Sequence, residues 1–168
     1  GATGHNAGQV VLYFERPFQE IVWEYWLEKA IDGQKALFRW FDVLLEMVDK
    51  IGMQEQLEIC EGYMGVRSMQ QLIRHLENKC LRDTGGAQFD GVLIDQHWSD
   101  IHTLPENFRD LVTVVDQSFI REKLETNEYF PALMTSKKAC VNSALFCQTA
   151  LQYLLKHFSK RLTVHEHS

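Results

Sequence analysis

Two aspartates and two histidines crowd one short stretch of the chain: Asp95, His97, Asp100 and His102. Carboxylate oxygens and imidazole nitrogens are ligands for zinc and non-haem iron. A metal held there would support hydrolysis by activating a water. Paired histidine or cysteine spacings such as H-E-x-x-H do not accompany the four residues. They read as a polar loop whose side chains cap neighbouring helices, with a metal-binding or hydrolytic loop as the alternative. No metal or other cofactor is expected.

The other reactive side chains are less organised. Glu20, Glu24 and Glu28 recur at steps of four, as on one helix face. Carboxylate-bridged metal bundles add Glu-x-x-His pairs on other helices, and the chain has none, so this row reads as a solvated face. Cys140 and His157 sit more than four turns apart on one expected helix and cannot act as nucleophile and base. Gly85-Gly86 lacks the context of a phosphate-binding loop. With no catalytic constellation, the chain does not read as an enzyme.

Two features point instead to a partner. Lys137 and Lys138 stand at the start of the last expected helix, where they oppose its dipole; that conflict points to an anionic partner surface. Trp23 lies about 100° round the first helix from Val22 and, with Leu27, makes a second apolar side. Trp23 reads first as core and alternatively as an interface, since exposed aromatics mark binding patches. Trp23, Lys137 and Lys138 are the candidate partner-binding residues. Tyr25, Trp26, Trp40 and Phe41 are expected to fill the core.

The elements that must position these residues are read as helices. From Gln34 to Ile51 the polar residues Lys35, Arg39, Asp42, Glu46, Asp49 and Lys50 form a narrow seam, and large apolar residues fill the rest. Such a helix must be enclosed. Pro17 suits the start of the helix before it, Asp32-Gly33 marks a turn, and the central helix ends near Gly52. A short helix is expected over 53–62. Ser68-Met69-Gln70-Gln71 has the form of a capping box and opens a helix that stops before Asp83. From Gly85 to Leu104 the helical period is lost, and a loop with a short helix or 3-10 turn is expected. Further helices are expected from Pro105 to about Leu124, and from Lys137 to Leu162 with Ser136 as its cap.

The expected fold is therefore all-α: an irregular bundle of six to eight helices around a buried central helix at about 34–51. The 168 residues suit one domain, here 10–162. Residues 1–9 read as a cloning scar, a disordered lead or the start of a fragment, and 163–168 as a frayed tail. A net charge of −6 argues against nucleic-acid backbone binding. No stretch approaches the roughly 20 apolar residues that span a bilayer. The four cysteines read as reduced, which suits the cytoplasm or nucleus. The function expected from these readings is a non-enzymatic helical protein–protein interaction or scaffold domain of a larger intracellular protein.

Overall fold

The computed structural model describes residues 8–88 and 90–164. The all-α expectation is overturned: the protein is mixed α/β, with a five-stranded sheet and four α-helices among the described residues. The strands are β1 (Gln9–Val11), β2 (Leu57–Val66), β3 (Asp90–Asp95), β4 (Thr113–Val115) and β5 (Ala132–Val141). The helices are α1 (Phe18–Lys50), α2 (Met69–Thr84), α3 (Gln117–Leu124) and α4 (Ser143–Phe158). The sheet runs β1-β5-β3-β4, and β2 also pairs with β5. β3 and β4 are parallel, with Leu93 opposite Thr113. β3 and β5 are antiparallel, with Val92 opposite Met134. The expected lead and tail fall mostly outside the described residues, but Gly8 and Gln9 belong to the fold: the Val141 amide donates to the Gly8 carbonyl at 2.7 Å.

Each missed strand has a local cause. The expected helix over 53–62 rested on Met53, Leu57 and Cys60 at helical spacing. The segment also holds Gly62, and Gly65 follows; both disfavour a helix, and in β2 both are contact points. A Cβ at Gly65 would lie 2.3 Å from the Phe130 ring. In the expected loop, Val92-Leu93-Ile94 is a short apolar run, the pattern of a strand covered on both faces. The expected helix over 105–124 contains three β-branched residues in a row, Thr113-Val114-Val115, which form β4. Asp116 then caps α3 by accepting from the Ser118 amide at 2.8 Å. The last expected helix loses its first part to β5, and Asn142, not Ser136, caps α4.

Helix ends were easier to read. Ser68 accepts from the Gln71 amide at 3.2 Å, and the Gln71 carboxamide accepts in return from the Arg67 amide at 3.0 Å, one residue upstream of the usual capping-box partner. α1 is terminated just beyond Lys50 by Gly52, whose φ of 73° is glycine territory. There Met53 donates to the Val48 carbonyl and Gly52 to that of Asp49, the paired bonds of a Schellman motif. Asp32-Gly33, in contrast, makes no turn and lies within α1.

The contacts divide the chain into two compact units. One comprises 11–38 and 61–138. Its main core joins Val66, Leu72, Leu76, Val92, Ile94, Trp98, Leu104 and Phe108, where α2 and the 3-10 turns pack on the sheet. A second cluster holds Phe18, Ile21, Ala30, Ile31 and Ala87. Between α2 and β3 lies a buried ionic group: Lys79 reaches Asp83 at 3.0 Å and the Asp90 carbonyl at 2.9 Å, while Arg82 pairs with the Asp90 carboxylate. Burial of this kind needs paired charges.

The other unit comprises 8–10, 39–60 and 139–164 among the described residues. In it the buried central helix is not found as expected. Phe41 and Val48 are buried, but Trp40 is 69% exposed, and Val43 and Met47 are also exposed. α4 has no buried residue: Leu145, Leu151, Leu154, Leu155 and Phe158 are exposed, where the expected bundle would have enclosed such residues.

Candidate interaction surface

The first part of α1 is docked on both sides of one abnormal residue. Before it, Phe18 and Ile21 are buried, and the Gln19 amide donates to the Asn78 carboxamide of α2 at 2.7 Å. After it, Ala30 and Ile31 are buried, and Gln34, fully enclosed, donates to the Leu12 carbonyl. Between these anchors the helix breaks at Trp26, with φ 68° and ψ 157°. That region of backbone space is essentially reserved for glycine, and such strain costs about 1–3 kcal/mol.

The break delivers aromatic side chains to the surface. Trp26 is 79% exposed and Trp23 73%; Tyr25 is also exposed. Beside them Arg16 pairs with Glu24 at 2.8 Å and with Glu20 at 3.6 Å. The hydrogen bond from Tyr25, and after it that from Arg16, hold the Glu24 carboxyl below its usual range; the same bond to Glu24 raises the Tyr25 phenol. Trp23 thus lies on the surface and not in the core. Tyr25, Trp26 and Trp40, expected as core, are exposed, and only Phe41 of that group is buried. Leu27, Trp23's expected companion, packs instead against the Phe18 cluster.

Lys137 and Lys138 lie in β5, not at a helix start, so the dipole conflict that singled them out does not exist. Lys137 is exposed. Lys138 is half-buried, its stem laid over Gly62, where a Cβ would come within 2.9 Å of the Lys138 Cδ.

The Asp95–His102 stretch begins in a strand. Asp95 ends β3 and is 1% exposed. Its carboxylate accepts from the His97 amide at 3.1 Å and the Tyr129 hydroxyl at 3.0 Å, and the Gln117 amide nitrogen, in its satisfied orientation, lies 3.3 Å away. Burial first, then the bond to Asp95, push the Tyr129 phenol up to about 12. His97 and Asp100 lie on exposed turns, and His102 in an exposed 3-10 turn. Among the described residues no three His, Cys, Asp or Glu side chains come together as a metal ligand set. Asp95 is therefore a carboxylate whose donors come from its own fold, joining β3 to the start of α3 and to the segment before β5. Nearby, Asp116 and residues of α3 line an open groove of about 630 Å³.

Sequence reasoning missed Trp26 as a surface residue. Its spacing with Ile21, Val22 and Tyr25 is that of a regular helix, and no glycine marks the break. Among the described residues no helix is long and apolar enough to cross a membrane. No family model, no curated protein and no solved structure matches this chain.

Proposed function

We propose that this protein is a non-enzymatic protein-interaction module that engages its partner through Trp23, Tyr25 and Trp26 of α1. The observation that carries the reading is Trp26: a tryptophan 79% exposed on backbone that tryptophan disfavours. The strain is offset by the docked flanks, and among the described residues the Trp26 ring stays 79% exposed, its apolar area not recovered. A covering partner would. Tryptophan and tyrosine are the side chains that most often dominate binding energy at interfaces, and a rigid helix presents them at low entropic cost. Lys137, exposed on β5, is a second candidate contact for an anionic part of the same partner. The reading of the cysteines as thiols supports a cytoplasmic or nuclear setting for the module.

The test is binding, not activity. A photo-crosslinking residue at position 23 should yield one dominant protein adduct in cells, and Trp26→Ala should reduce it at least ~10-fold, the order expected for an aromatic hot spot. Purified Trp26→Ala should keep the wild-type circular dichroism spectrum. An adduct undiminished by Trp26→Ala, with the fold intact, would overturn the proposal.

A further inference from the structure

Cys60 and Cys140 are 80 positions apart in sequence and meet on neighbouring strands, with Sγ atoms 4.0 Å apart. Cys60 lies on β2 and Cys140 on β5, which pair in the sheet. Gly62 faces Lys138 just as Cys60 faces Cys140. The two contacts run in opposite chain directions, so the strands are antiparallel and the cysteines stand directly opposite each other. Opposed residues in an antiparallel pair have Cα atoms about 4.5 or 5.5 Å apart, depending on the hydrogen-bonding position. Both values fall inside the roughly 4.4–6.8 Å window of a disulfide. Bond formation therefore asks for side-chain rotation and no change of register. Both thiols are half-buried, so a small oxidant reaches them.

We infer that Cys60 and Cys140 form a reversible dithiol–disulfide pair, oxidised by hydrogen peroxide. One thiolate attacks the peroxide O–O bond and becomes a sulfenic acid, releasing water once protons are balanced. The second thiol attacks the sulfenic sulfur, forming the S–S bond and releasing a second water. Two thiols lose two electrons and two protons, and the peroxide is reduced to two waters. A dithiol reductant reverses the step by exchange. The sequence pointed elsewhere: it placed Cys140 on the last expected helix and read all four cysteines as reduced. The pair is visible only once the strands are paired. The oxidised link fastens β2 to β5, and β5 is also the partner of β1 and β3.

The native full chain is treated with hydrogen peroxide, alkylated under denaturing conditions, and mapped by non-reducing peptide mass spectrometry. The expected result is a monomer that has lost two hydrogen atoms, one cross-linked peptide joining Cys60 to Cys140, and alkylated Cys80 and Cys147. The Cys80→Ser/Cys147→Ser variant should form the same link, and dithiothreitol should restore four thiols. The oxidised form should melt roughly 10 °C higher, as expected for closing a long loop. Cys60→Ser should abolish the link; if that variant does not fold, the wild-type map and the Cys80→Ser/Cys147→Ser variant still decide. Links through Cys80 or Cys147, disulfide dimers, sulfinic acid at Cys60 or Cys140 without a cross-link, or a fall in Tm on oxidation would each overturn the inference.

Discussion

β3 and the Trp23–Trp26 segment of α1 belong to the same compact unit and are both rich in large apolar residues, yet they end in opposite environments. Val92 and Ile94 of β3 are sealed under α2 and the 3-10 turns, while Trp23 and Trp26 stand in solvent. The difference does not follow hydrophobicity, since tryptophan is at least as apolar in area as valine. It follows coverage. β3 has strands on both sides and a helix across it, so every alternate side chain meets another. Trp26 sits at a backbone break between two docked helical stretches, which turns it away from the cluster that buries Phe18 and Ile31. Apolar residues in a covered element stabilise the fold; those in an uncovered one are available for a partner.

Substitutions can break that contrast. The largest effect is expected in β3. Ile94→Ala should lower stability by about 2–5 kcal/mol, read from urea unfolding, because its fully buried side chain leaves a cavity. A loss below ~1 kcal/mol would mean that β3 is not core. Trp26→Gly should act in the other direction. Glycine accepts φ 68° without a Cβ clash, so the variant should gain about 1 kcal/mol despite the entropy that glycine loses on folding. A destabilised Trp26→Gly would show that the ring is packed. Trp40→Ala should be smaller still, within about 0.5 kcal/mol of wild type, as for exposed residues in general. The sequence alone argued the reverse for Trp40, as a core aromatic.

A pH titration sharpens the β3 side of the comparison. The Tyr129 phenol, bonded to Asp95 at the end of β3, is raised from 10.0 to about 12. A phenol raised in the fold binds its proton more tightly when folded. Its contribution to stability is present below pH 10 and is lost as pH rises toward 12. Ultraviolet titration should show one tyrosine that ionises later than all the others, Tyr25 and Tyr63 included, and that disappears in Tyr129→Phe. Early, uniform titration of all tyrosines would contradict the bond to Asp95.

What could be read from the sequence was local chemistry. Ser68, Gly52 and Pro105 marked where segments begin or stop, because caps and turns depend on neighbours a few residues away. The strands were not legible for the same reason. Cys60, Thr113 and Met134 become strand residues through pairing with segments 20 to 80 positions distant, which no local spacing shows. The clustered Asp95, His97, Asp100 and His102 read as a polar loop, with metal ligands as the alternative. The end of β3 buries Asp95 and leaves the others on exposed turns. Trp23 was flagged by its position on a second apolar side, but Trp26 was hidden by a regular helical pattern across its break.

On the proposed reading Trp23 and Trp26 form a partner-facing surface, while Trp98 belongs to the core. Fluorine NMR of protein labelled with 5-fluorotryptophan tests it directly, with resonances assigned by single substitution. The account predicts that Trp23, Trp26 and Trp40 show solvent-isotope shifts on moving from water to deuterium oxide, while Trp98, 7% exposed, does not. On adding extract from the native host, Trp23 and Trp26 should broaden or shift with Trp98 unchanged. Solvent-protected Trp23 and Trp26 resonances in the isolated protein, or resonances indifferent to the extract, would contradict the account.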